Sequence, residues 1–127
     1  PDALTLAQLR QRAWQAVEPQ VQALQTRWTD EFGAARARGL GSDNLADVAR
    51  AAAAGRVGML LIEAERQIAG HLDDSSGSIM AADLDNPRID DLLDDLGDLV
   101  MKMGGQVRVL PADRMPGSTG LAATYRH

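Results

Sequence analysis

Val57-Gly58-Met59-Leu60-Leu61-Ile62-Glu63 is a short apolar run bounded by glycine and charge. Too short for a helix of its own, it reads as a buried central strand. Everything before it fits a covering helix. Leu45, Val48, Ala49 and Ala52 recur at helical spacing, and Ala-rich filling lets a helix lie close to a sheet. Ser42 or Asp43 is the expected cap at its start, and Gly55 its stop. After the strand come a turn near Ala64 to Arg66, a weaker strand over Gln67 to His71, and a loop from Leu72 to Asp85. The tip of that loop is Asp73-Asp74-Ser75-Ser76-Gly77.

Working outward, Asn86-Pro87 marks the expected start of a third helix. Its apolar face is Ile89, Leu92, Leu93, Leu96, Leu99, Val100 and Met103, and Gly104-Gly105 ends it. Gln106 to Leu110 alternates as a strand, Pro111 to Gly120 is a loop of turn formers, and Leu121 to Tyr125 is a last strand. Upstream, Thr5 caps a long helical pattern over residues 5–38, which Pro19 should kink or restart. Helices alternating with strands define an α/β fold.

Composition narrows the function. There is no cysteine, so thiolate metal sites, disulfides and thiol nucleophiles are excluded. The longest apolar run, Met59 to Ile62, is too short to span a bilayer, and the sequence carries no visible signal peptide. The expectation is a soluble, cytoplasmic protein without membrane contact. The chain opens on Pro1, which suggests a piece of a longer protein. Residues 1–56 carry seven arginines against six acidic residues, whereas residues 57–127 carry six basic against twelve acidic, a net −6. That acidic half is a poor match for nucleic-acid phosphates and a better one for a basic protein partner.

Three blocks carry a family resemblance. The first runs from Val48 through Gly55 into Met59-Leu60-Leu61-Ile62-Glu63. The second is Leu93 to Leu110, ending in Lys102-Met103-Gly104-Gly105-Gln106-Val107-Arg108-Val109-Leu110. The third is Met115-Pro116-Gly117-Ser118-Thr119-Gly120-Leu121-Ala122-Ala123-Thr124-Tyr125-Arg126-His127. Together, over about residues 40–127, they resemble the C-terminal domain of the bacterial archaeo-eukaryotic release-factor-like proteins, relatives of pelota and of the class-one release factors. In that family the last strand ends in Tyr or Arg-Tyr; here His127 stands in the terminal place. The resemblance implies a three-layer α/β/α sandwich with a small mixed sheet, similar to kink-turn-binding ribosomal proteins. A long N-terminal helix precedes it. Residues 1–38 would then be leading or linker helices, and residues 39–127 the α/β domain. It also implies upstream domains in a larger parent, and contact with a translational GTPase or the ribosome.

Several residues are candidates for function. Gly104-Gly105-Gln106 matches the tripeptide with which release factors hydrolyse peptidyl esters, but that tripeptide belongs to another of their domains. Here it falls between helix and strand, where a glycine cap is expected. The kink-turn reading selects Asp47 and Arg50, with Ala46 where an RNA-binding relative has asparagine and Asn44 two residues out of register. On the third helix Asp90, Asp91, Asp94, Asp95 and Asp98 fall opposite the leucine face, as a solvated face or a docking strip for a basic partner. Arg114, Met115, Pro116 and Gly117 begin an exposed loop that suits a protein partner. Asp74, Ser76, Gly77, Ile79 and Asp83 follow the order of a calcium loop, but Leu72 occupies the first ligand position and cannot coordinate. His71 and His127 lack any paired metal or triad spacing. Trp14, Val21, Trp28 and Ala35 repeat every seven residues, a stripe able to pair with a second copy or pack on its own sheet. The sequence reading is therefore a non-enzymatic interaction module with no cofactor and no metal. The alternative is a kink-turn-type RNA-binding domain.

Overall fold

A computed structural model describes residues 5–8, 19–81 and 91–126. Its elements are α1 (Pro19–Ala37), β1 (Gly41–Ser42), α2 (Leu45–Ala53), β2 (Val57–Glu63), β3 (Gly70–Leu72), β4 (Ile79–Ala81), α3 (Leu92–Lys102), β5 (Gln106–Leu110) and β6 (Leu121–Tyr125). A 3-10 turn, Ala112–Arg114, lies between the last two strands.

The apolar run at Val57 is the inner strand it was expected to be. The main sheet has the order β1-β6-β2-β5. Strand β2 pairs parallel with β5, Leu60 opposite Val107, and antiparallel with β6, Leu60 opposite Ala123. The three strands read from the sequence thus share one mixed sheet. Val57 faces Tyr125 while Met59 faces Thr124, so β2 carries an extra residue there. This bulge breaks strict alternation. Val57 consequently joins Leu60 and Ile62 in one core, and Met59 joins Leu61 in another.

These two cores lie on opposite sides of the sheet. The larger one packs Val48, Ala49 and Ala52 of α2 and Leu92, Leu93, Leu96, Leu99 and Val100 of α3 against Leu60, Ile62, Val107, Val109, Leu121 and Ala123. The smaller one packs Phe32 of α1 against Met59, Leu61, Leu110 and Ala122, with Trp28 and Met115 at its margin. Residues 6–8 form a helical turn whose start is a reciprocal capping box. In it, Gln8 N donates to Thr5 Oγ1 (3.2 Å) and Thr5 N donates to Gln8 Oε1 (2.9 Å). From that turn Leu6 is buried in the larger core, and a Cβ added to Gly97 of α3 would lie 2.9 Å from Leu6 Cδ2.

The structure corrects four local expectations. Asn44, not Ser42 or Asp43, caps α2, its Oδ1 accepting from Asp47 N at 3.0 Å. Ser42 Oγ instead accepts from Asn44 N at 3.1 Å and holds the cap in place. The weak strand shortens to Gly70–Leu72, and the expected loop contains its partner, Ile79–Ala81. The hairpin tip is closed by Gly77 N donating to Asp73 O at 2.8 Å. Helix α3 begins at Leu92, because Asp91 is extended and its carboxylate accepts from Leu93 N at 3.0 Å. Asn86-Pro87 and Ile89, with Asp90, fall outside the described residues. Pro19 is the first residue of α1, where a missing N–H costs nothing, and residues 9–18 before it lie outside the described residues.

Candidate docking surface

Glycine closes α3 as the sequence suggests. Gly104 sits at φ +90° and Gly105 N donates to Val100 O at 2.8 Å, a Schellman ending. Gln106 is the first residue of β5, opposite Met59. The Gly104-Gly105-Gln106 tripeptide is therefore a helix stop and a strand start.

The structure separates the two halves of the expected partner surface. The aspartates belong to α3, on the side of the larger core; the loop beginning at Arg114 lies on the opposite side, where Met115 packs against the smaller core. The aspartates are also not one exposed strip. Asp91 Oδ1 is engaged by Leu93 N and by Ile68 N (3.1 Å), Asp94 and Asp95 are half-buried, and among the described aspartates of this helix only Asp98 is exposed. An N-cap carboxylate is a strong acceptor at a helix start, which is why it turns inward.

The loop from Pro111 to Gly120 is exposed yet tied down. The 3-10 turn is closed by Arg114 N donating to Pro111 O at 2.9 Å. Thr119 Oγ1 donates to Asp43 O at 2.8 Å, and Arg66 Nη1 reaches Ser118 O at 3.4 Å. Asp43 is in turn paired with Arg36 of α1 at 3.5 Å. A Cβ at Gly117 would come within 3.1 Å of Asp43 Oδ2, so the loop passes close over that side chain. Pro116 and Gly117 are exposed, and Arg114 and Met115 half-buried.

On the same side stands a pair that the sequence reading did not single out. The Arg108 guanidinium of β5 lies over the Trp28 ring of α1, 5.2 Å from its centre. Arg108 Nη2 donates to Gln106 Oε1 at 3.1 Å, while its Nε is buried with no acceptor. The available signal was a charged residue set between Val107 and Val109 in a strand of the sheet. In the heptad stripe, Trp28 packs at the margin of the smaller core, Ala35 is buried, Val21 is half-buried, and Trp14 lies outside the described residues.

A second feature gathers the RNA candidates. Asp47, Arg50, Ala51, Arg56 and Tyr125 line an open pocket of about 370 Å³. Arg50 Nη2 is bound to Asp47 Oδ1 at 2.8 Å, and the Arg56 guanidinium lies 5.6 Å from the centre of the Tyr125 ring. Burial pushes the Tyr125 phenol above its ordinary pKa; Asp47 adds to the rise, and Ser42, Arg56 and Arg50 offset part of it. The phenol oxygen itself is buried and makes no well-formed hydrogen bond.

The acidic hairpin tip shows local bonding. Asp73 Oδ1 accepts from Ser75 N (2.9 Å) and Ser75 Oγ (2.8 Å), and these bonds hold its carboxyl below the ordinary range. Among the described residues no group of three His, Asp or Glu side chains is placed to hold a metal. Asp83 and His127 lie outside them, and His71 is an exposed residue of β3. No described helix is long and apolar enough to cross a membrane.

Fold and surface together define a mixed α/β protein with a tethered, exposed loop on the side of the sheet that carries an Arg-Trp pair. Residues 1–56, somewhat under half of the chain, match the model of the bacterial archaeo-eukaryotic release factor family 3. The resemblance read from the later blocks names the same release-factor-like family, and this match reaches it from the other end of the chain, overlapping those blocks over residues 48–56. No curated protein matches the chain.

Proposed function

We propose that the protein is a non-enzymatic interaction module of a release-factor-like, translation-related protein, docking on a translational GTPase or on the ribosome. The observation that carries this reading is the loop from Arg114 to Gly120, which is exposed but fixed through Asp43 and Arg66. A surface already ordered before binding loses little entropy when a partner arrives. The family match supports the translation context. The packing of α1 on one side of the sheet and of α2 and α3 on the other supports the three-layer arrangement of the C-terminal domain of that family. The test is co-sedimentation of the protein with ribosomes, and pull-down with purified bacterial translational GTPases, in mild salt. Retention by one of them is expected, and loss when Pro116 and Gly117 are both changed to aspartate. Absence from every fraction at low salt sinks the reading.

One observation favours a second reading, RNA binding in the kink-turn manner. Arg50 and Arg56 flank an aromatic ring at the pocket of Tyr125. Against it stand the missing asparagine at Ala46, the pairing of Arg50 with Asp47, and the acidic second half of the chain. Filter binding of a kink-turn RNA across a salt series decides: binding that falls steeply with salt supports it, and no binding at low salt removes it.

A further inference from the structure

We infer that Arg108, held over Trp28, is the anchor of the docking surface, and that it receives an acidic side chain from a protein partner. The inference rests on the docking reading above and gives that partner a chemistry. Arg108 and Arg114 both lie on the side of the sheet covered by α1, both are half-buried, and neither forms an ion pair among the described residues. A half-buried cation without a counter-charge is costly to keep, and a carboxylate brought by a partner removes that cost. Arg108 is also organised for recognition. Its guanidinium carbon lies 5.2 Å from the centre of the Trp28 ring, and Gln106 fixes one end of the group at 3.1 Å. Arginine and tryptophan are the residue types that dominate binding energy at protein interfaces, and a flat guanidinium fork suits a carboxylate better than an ammonium would. Met115, packed against the same core as Trp28, adds an apolar margin next to the exposed Pro116. The occupant is an Asp or Glu of a protein rather than an RNA phosphate, because the same side offers apolar surface at Trp28 and Met115, which a protein partner's side chains cover and a charged phosphate chain does not.

The experiment compares co-sedimentation and GTPase pull-down of the full chain as wild type, Arg108→Gln, Arg108→Glu and Arg108→Lys, with thermal melts to show that each variant is folded. Arg108→Gln is expected to weaken retention about tenfold and Arg108→Glu further, with Arg108→Lys between Gln and wild type. Equal retention of wild type and folded Arg108→Gln overturns the inference while leaving the docking reading intact. If wild type itself is not retained, the docking reading fails, and the inference with it. A second measurement keeps Arg108 in place. Leu24 is 41% exposed and one helical turn before Trp28, so a photocrosslinker introduced as Leu24→p-benzoylphenylalanine reports what covers the pair. Crosslinking to an acidic peptide of a ribosomal protein or GTPase supports the inference; crosslinking to ribosomal RNA overturns it.

Discussion

A single oxygen of Asp91 ties Ile68 to the start of α3: Oδ1 accepts the Ile68 N–H at 3.1 Å and the Leu93 N–H at 3.0 Å. The Ile68 carbonyl closes the exchange by accepting from Leu92 N at 2.7 Å. One carboxylate therefore caps the helix and fastens the chain ahead of β3 to it. Asp91→Ala removes the cap and leaves the part-buried Ile68 donor without its acceptor. The expected loss is about 2–3 kcal/mol of unfolding free energy. Asp91→Asn keeps an acceptor and should lose less than half of that. Urea titration of the three proteins checks the ranking, and an Asp91→Ala variant as stable as wild type would refute the structural role.

Two glycines should respond to alanine with opposite signs. At Gly105 an added Cβ would lie 2.6 Å from Val57 O and 2.7 Å from Val100 Cγ1, because the α3–β5 turn runs against β2. Gly105→Ala is expected to destabilise by about 1–3 kcal/mol through overpacking. Gly33 sits in α1 with nothing within 4 Å of its added Cβ. Gly33→Ala is expected to stabilise by about 0.5–1 kcal/mol, the usual gain of a helix interior. Denaturant midpoints of both variants measure the difference in sign.

Tyr125 carries a pH dependence at the alkaline end. Its phenol is raised above 10.0, first by burial. A group whose folded pKa exceeds its unfolded value stabilises the protein fully below the unfolded pKa, and that contribution is lost as pH rises through the folded one. Stability should therefore fall as pH climbs past about 10. In Tyr125→Phe that component should vanish. Its stability at neutral pH should change little, because the buried hydroxyl has no well-formed hydrogen bond to lose. Unfolding midpoints of both proteins between neutral and strongly alkaline pH provide the comparison; parallel curves would contradict it.

Leu60 is fully buried at the centre of the larger core, between Val107 and Ala123. Leu60→Ala is expected to cost about 2–5 kcal/mol, the spread depending on how far the cavity collapses. The exposed Asp47–Arg50 pair provides the contrast, since Asp47→Asn should change stability by under about 1 kcal/mol. Thermal and urea unfolding of the two single variants measures both.

The sequence by itself determined the inner strands β2, β5 and β6 and the apolar faces of α2 and α3, but neither β1 nor β4. The leucine face of α3 and the alternation in β5 are periodic signals that record burial directly, and the unbroken apolar run from Val57 to Glu63 marks a strand covered on both faces. It also made Gly104 a helix stop, since a left-handed backbone position has few occupants other than glycine. Tertiary structure alone decided which side of the sheet each helix covers, because an apolar face fits either side equally well. That choice separated the aspartates of α3 from the loop at Arg114 and brought Trp28 over Arg108, residues far apart in the chain. It also turned Asp91 from an apparent surface charge into a cap for Leu93 and a tie to Ile68. A side chain's hydrogen-bond partners are set by where distant backbone segments come to rest, and no local pattern encodes that.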